Sequence, residues 1–345
     1  MNKVIPFYLF FILLVLTISY SLTYSKVYGD GLFMEQLSAS LGDRKADLLI
    51  KMSPPIVTTA LEQQGQKPII EFKLFDSKTN QNFKSVTYYI TIEKNGKQLL
   101  SNWFYDPNGD LKIQMEPRNT SQIQVQGDLD PILNAYTSQG ASHVVATGPI
   151  FSQGGLYHFI VRIVTVDYST TILPDAQQPK FDGWLSIGAY HHKTFDINGK
   201  PVPVSILGYY DEVGNITYAP KTHAISFNMP FTYNMTRLKA PDNNVYVHQE
   251  VDVPKPSVFS SSGSYKGFTN GQDVSKYLVV DGSNKTKDVA HFMLTKPIVL
   301  QIADKYKPKN ASDKGEMSFT LMPSNTGVKS MGTAMNMSSM MMPPK

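Results

Sequence analysis

Residues 83–117 read FKSVTYYITIEKNGKQLLSNWFYDPNGDLKIQMEP. Val86, Tyr88, Ile90 and Ile92 alternate with Thr87, Tyr89, Thr91 and Glu93. A period of two is that of a half-buried strand. Asn95-Gly96 follows, a pair suited to a two-residue hairpin because both residues tolerate positive φ. Lys97 to Trp103 returns as the partner strand, and Asn108-Gly109 turns the chain again into Leu111, Ile113 and Met115. The stretch predicts a β-meander, preceded by one more strand from Ile69 to Phe75.

The same signature continues on both sides. GPIFSQGGLYHFIVRIVTVDY, from Gly148, puts Tyr157, Phe159, Val161 and Ile163 on one face after Gly154-Gly155. A Gly-x-Tyr at the head of a long strand resembles the corner of immunoglobulin-like sandwiches, where a tyrosine hydroxyl ties back to the backbone. Further strands are predicted at 183–190, 202–208, 224–229, 245–253, 276–280, 289–294, 298–303 and 317–321. Asn198-Gly199, Gly214-Asn215, Pro241-Asp242 and Asp281-Gly282-Ser283 supply turns between them. Asp130-Pro131 predicts one short helical turn through Asn134, and 254–267 reads as a surface loop or linker. Short strands at close spacing, with no helical period, predict an all-β chain. The expected architecture is two immunoglobulin-like or cupredoxin-like β-sandwich domains at 26–178 and 183–322, with the boundary near Gln178 to Asp182. A disordered Met-rich tail is expected at 323–345.

Composition sets the remaining bounds. MNKVIPFYLFFILLVLTISYS opens the chain with Lys3 ahead of an apolar stretch from Val4 to Ile18. A run of about fifteen apolar residues suits a secretory signal and is short for a spanning helix. Residues 1–25 are therefore expected to be a signal peptide or N-terminal anchor, and the protein to be secreted or associated with the cell surface. Any membrane contact would run through that segment, left uncleaved. With no cysteine, an exported chain cannot be a disulfide scaffold and must rely on burial and hydrogen bonds. The net charge is +4, from 32 basic and 28 acidic residues without a basic stripe, which argues against nucleic-acid binding. Sequons at Asn119, Asn215, Asn234, Asn284, Asn310 and Asn336 agree with an exported chain.

FMEQLSASLGDRKADLLIKMSPP, VTYYITIEKNGKQLLSNWF, GPIFSQGGLYHFIVRI, FNMPFTYN and VYVHQEVDVPK together resemble a group of uncharacterised secreted proteins of ammonia-oxidising archaea, predicted to be tandem β-sandwiches. The resemblance covers most of the chain after its first segment. It implies an extracytoplasmic setting in a copper-dependent organism and supplies no catalytic residues.

Chemistry-bearing residues are few. Six of the fifteen methionines fall in the last fifteen residues: Met331, Met335, Met337, Met340, Met341 and Met342. Thioether sulfur is a soft neutral ligand suited to Cu(I). The surrounding Gly, Ser, Asn and Pro give no reason to read these methionines as a core stripe, although a functionless low-complexity terminus has the same composition. His291-Phe292-Met293 lies in a predicted strand, where residues two apart share a face, so imidazole and thioether can meet one ion. His248 lies in another strand, His191-His192 in a predicted turn, and His223 ahead of a strand; none has a metal-ligand spacing. Asp106 to Asp110 looks superficially like a calcium loop but lacks the glycine and glutamate such a loop needs, and a β-turn explains it better.

The chain has no G-x-S-x-G, P-loop, G-x-G-x-x-G or H-E-x-x-H. The leading expectation is thus a non-enzymatic exported protein without cofactor, serving interaction, adhesion or assembly with other envelope or cell-surface proteins or glycans. Its polar loops at 176–181, 238–244 and 254–273 would carry recognition. The alternative is extracytoplasmic copper capture, storage or delivery by the methionine tail and the His291/Met293 strand. Convergence of any two histidine rings in space would favour the alternative.

Overall fold

A computed structural model describes residues 33–56, 67–137, 144–240, 244–306 and 314–331. The signal or anchor expected at 1–25 lies outside them. Among the described residues the chain is all-β, with four sheets arranged as two pairs. No described helix is long and apolar enough to cross a membrane.

The first sheet runs in the order Met34–Leu41, Arg44–Ser53, Ile69–Asp76, Asp110–Pro117, Val144–Gly148, Gln124–Gln126. The second runs Lys180–Ile187, Gly155–Thr165, Val86–Lys94, Lys97–Asp106, Tyr136–Thr137, Asp128–Leu129. Their inward side chains, among them Leu48, Ile50, Phe72, Ile90, Phe159 and Val161, form one buried cluster. A second cluster, built on Phe227, Val247, Val251, Phe292 and Phe319, lies between the other two sheets. One of these orders Ala189–Ile197, Lys200–Gly208, Tyr246–Pro254, Lys287–Thr295, Leu278–Asp281. The other orders Gly214–Ala219, Ala224–Thr232, Lys314–Pro323, Ser264–Thr269, Gln272–Asp273.

The Asn95-Gly96 hairpin forms as expected, with φ of 53° and 75° and Lys94 opposite Lys97. The meander does not. After Asn108-Gly109 the chain leaves the second sheet, and Asp110–Pro117 pairs with Ile69–Asp76 in the first. Asp106 makes this crossing possible: its Oδ1 accepts from the backbone N–H of Asn108 at 2.7 Å and of Asp110 at 2.9 Å. The carboxylate that suggested a calcium loop is therefore engaged by the turn itself. Tyr157 does tie back as its sequence position suggested, its hydroxyl donating to the Gln153 carbonyl at 2.7 Å.

Several other elements differ from expectation. Residues 298–303, expected as a strand, lie in the helix α2 (Lys296–Tyr306), preceded in the chain by α1 (Met235–Lys239). Pro297 suits the first helical turn, where its missing N–H is no loss. Ile298, Val299, Ile302 and Ala303 form its buried face, a helical spacing that so short an apolar run disguises. The loop expected from 238 begins inside α1 and buries Leu238. Asp130 makes only a turn, accepting from the N–H groups of Ile132 and Leu133; Asn134, at φ 54°, leaves helical geometry. Within 254–267, Ser257 and Ser260 cap a 3₁₀ turn that buries Phe259, so this stretch is packed rather than a free linker. His191 and His192 sit in the strand Ala189–Ile197 instead of a turn.

Two boundaries shift as well. Lys180–Ile187 pairs with Gly155–Thr165, and its Phe181, Leu185 and Ile187 belong to the first cluster. The change from one cluster to the other thus falls at Gly188, beyond the expected 178–182. At the far end, residues 323–331 are structured: Val328–Lys329 pairs with Ser264–Thr269, and Met331 bridges Asp281. Strand pairing satisfies this backbone, which a disordered tail would leave to water.

On the outer face of the second sheet, His158 joins three strands. Its Nδ1 lies 3.2 Å from Glu93, its Nε2 2.8 Å from Asp182, and its ring stacks on Trp184 at 4.4 Å. Burial alone would push the imidazole down, but Asp182 and Glu93 outweigh it and hold the group above its ordinary value. A raised value means that this stabilisation is complete below the ordinary imidazole range and is lost as pH rises through the folded-state value. In urea melts, the stability gap between wild type and His158→Gln should be wider at about pH 5.5 than at about pH 8.5. A gap that is constant or wider at high pH would contradict this account.

Candidate metal centre

Side chains along Tyr246–Pro254 alternate between two environments. Val247, Val251 and Val253 enter the second core cluster, so Tyr246, His248, Glu250 and Asp252 face the other way. On the neighbouring strand, Phe292 and Leu294 are core residues, and His291 and Met293 share the opposite face. Register sets Glu250 directly across from His291 and His248 directly across from Met293.

This outer face is not left to water. Leu207 stands opposite Glu250 in the adjoining strand, and the Tyr209 ring stacks on His248 at 4.8 Å with an interplanar angle of 3°. Phe33 and Ile56, from the first half of the chain, pack on Leu207 and Tyr209. Gly188 bridges Ile56, its N–H donating to the Pro55 carbonyl at 2.7 Å. A Cβ on Gly188 would lie 3.0 Å from the Tyr209 ring and 3.2 Å from Leu207. The glycine lets the backbone press down on the tyrosine that covers the histidine.

Beneath that cover, His248 Nε2 lies 3.3 Å from His291 Nδ1. Glu250 Oε1 is 3.6 Å from the first nitrogen and 3.5 Å from the second. Side-chain exposure is 0% for His248, 5% for His291 and 12% for Glu250. A point equidistant from these three atoms lies about 2.0 Å from each, the length of a bond from imidazole or carboxylate to a transition-metal ion. Two histidines and a carboxylate form a donor set that holds zinc, iron or copper in proteins.

The electrostatics suit such a role. Burial pushes His248 down to about 4, assisted by His291 and opposed by Glu250. The imidazole is therefore neutral at ordinary pH, with a lone pair to offer. Burial works to raise Glu250, but a hydrogen bond from His291 and the two nearby imidazoles keep it below the usual carboxylate value. The Tyr209 hydroxyl also hydrogen-bonds Glu250. His248 Nδ1 and the Tyr246 hydroxyl are buried with no hydrogen-bond partner among the described residues. Buried polar atoms of this kind are costly to fold around.

Of the residues singled out from sequence, His291 and Met293 lie on this face, and His248 joins them. Met331 does not: it is held in the bridge to Asp281 and is 45% exposed. Met335, Met337, Met340, Met341 and Met342 lie outside the described residues, as does His143. The remaining histidines find other partners: His158 has Glu93 and Asp182, His191 has Glu212, His192 has Ser205 and His223 has Tyr218. Glu250 was not anticipated. The signal for it was present as His248-Gln249-Glu250, a two-residue spacing on a strand. No protein-family model matches the chain, and neither does any curated protein or solved structure.

The cover over the site can be tested through Gly188. Gly188→Val would force a branched side chain against Tyr209 and Leu207, and overpacking of this kind costs about 1–3 kcal/mol. Chemical denaturation should show that loss together with faster hydrogen exchange at Tyr209. An unchanged midpoint would mean that the face is open.

Proposed function

We propose that this chain is an exported, non-enzymatic β-sandwich protein that holds one transition-metal ion between His248, Glu250 and His291. The observation that carries the reading is the triangle of donor atoms with edges of 3.3, 3.5 and 3.6 Å, on a face where two of the three side chains are at most 5% exposed. Surface clusters of acidic residues arise without an ion; here two imidazole nitrogens and a carboxylate oxygen, within hydrogen-bonding reach of one another, are shut away from water. Holding is favoured over turnover because so buried a set offers no broad face to a substrate. The paired sheets, antiparallel in the second half and mixed in the first, and the Tyr157 corner support an immunoglobulin-like or cupredoxin-like class. Export rests on Lys3 and the apolar stretch from Val4 to Ile18, with the sequons in agreement. A role in adhesion or assembly is compatible with such a scaffold, yet no specific feature of the loops favours it over the metal centre.

The test uses full-length, metal-stripped protein in which Met335, Met337, Met340, Met341 and Met342 are leucine, so that the terminal segment cannot contribute sulfur. One equivalent of Zn(II), Co(II) or copper should bind, and at about 100 times the dissociation constant it should stabilise the fold by about 2.7 kcal/mol. The double variant His248→Gln/His291→Gln should lose both binding and stabilisation. Absence of stoichiometric binding by any of these metals, or binding unaffected in the double variant, would overturn the reading. A comparison with the native methionines in place measures what the terminus adds.

A further inference from the structure

We propose that Met293 is the fourth donor of this centre, and that the ion it selects is Cu(I); the inference rests on the three-donor reading above. The antiparallel register makes a two-by-two block of side chains on one face. His248 and Met293 are one cross-strand pair, and Glu250 and His291 are the other. Directly opposed residues have Cβ atoms about 4.5–5.5 Å apart, within easy span of a methionine side chain and an imidazole sharing one ion. Three corners of the block already present converging donor atoms. Met293 is the fourth corner, half-buried, with three rotatable bonds to bring its sulfur to the ion.

The Tyr246 hydroxyl, buried on the same face without a hydrogen-bond partner among the described residues, is a polar group that could compete for that position. Val279 stands opposite His291 and Leu207 opposite Glu250, and both are apolar. The Tyr209 ring lies flat on His248 with its hydroxyl committed to Glu250. A thioether is a soft neutral ligand, and with two imidazoles it suits Cu(I) better than Zn(II), which prefers harder or anionic donors. Charge points the same way. Glu250 is the single carboxylate in the donor triangle, so a monovalent ion leaves the centre neutral, whereas a divalent ion leaves one uncompensated positive charge. In a site where His248 is wholly buried, unpaired charge is strongly disfavoured.

The test is an anaerobic titration of the same leucine-tailed full-length protein with Cu(I) against a chromophoric chelator, and a separate titration with Zn(II). Met293→Leu keeps the bulk of the side chain and removes the sulfur. The variant should lose at least about tenfold in Cu(I) affinity, the lower end of what even a supporting group's loss costs a metal site, while its Zn(II) affinity stays nearly constant. Copper-edge X-ray absorption should show one sulfur scatterer in the parent and none in the variant, with circular dichroism confirming that both are folded. If Cu(I) binds equally well to parent and variant, or if no sulfur is seen in the parent, Met293 is not a ligand and the three-donor centre stands without it. If Zn(II) outcompetes Cu(I) in the parent, the assignment of the ion fails. If neither metal binds, the centre itself falls, and the fourth donor with it.

Discussion

The strand pair Tyr246–Pro254 and Lys287–Thr295 is covered on both faces, and the chemistry of this protein follows from that constraint. One face meets the opposing sheet through Val247, Val251 and Phe292. The other is closed by Tyr209 and Leu207, which are held down by Phe33, Ile56 and the backbone at Gly188. A sheet exposed on one side can place histidine and glutamate there at little cost, since water solvates them. A sheet covered on both sides cannot. Its polar groups must find partners or lose free energy, and here the donors of the covered face turn toward one point.

The second core shows how the scaffold tolerates this. Its apolar residues form a continuous cluster from Ile197 to Leu321 that does not include the donor residues. That face keeps features a purely structural sheet would shed, namely a wholly buried imidazole with an unpartnered Nδ1 and a tyrosine hydroxyl in the same condition. Hydrophobic side chains of similar size would remove those penalties. His248 Nδ1 and the Tyr246 hydroxyl both lie on the same face as the triangle formed by His248 Nε2, His291 Nδ1 and Glu250 Oε1 without belonging to it. His158 makes a useful contrast: both of its ring nitrogens are engaged by carboxylates, so it serves the fold and leaves no lone pair for an ion.

Strand alternation, the Asn95-Gly96 turn and the Tyr157 corner were legible because each is local: pleat period, tolerance of positive φ and a bond across four residues need only neighbours in the chain. Helix α2 was hidden for the same kind of reason. A six-residue stretch that is apolar except for Gln301 fits both periods, and only packing of Ile298, Val299, Ile302 and Ala303 on the second cluster decides between them. The crossing at Asn108-Gly109 was misread as a meander because the turn residues are the same whether the next strand returns to its own sheet or joins the facing one. Half of the donor set was visible in His291 and Met293. The other half needed a register that the chain does not spell out, because His248 and His291 are separated by 43 residues.

By itself, then, the sequence determined that the chain is all-β, free of cysteine and poor in catalytic motifs, since composition and short-range periodicity are set residue by residue. Only the tertiary structure decided which strands share a sheet, which of their faces is shut from water and which imidazoles meet. Those outcomes depend on long-range pairing, in which a shift of one residue would send His248 and Glu250 to the core and Val247 and Val251 to the outer face.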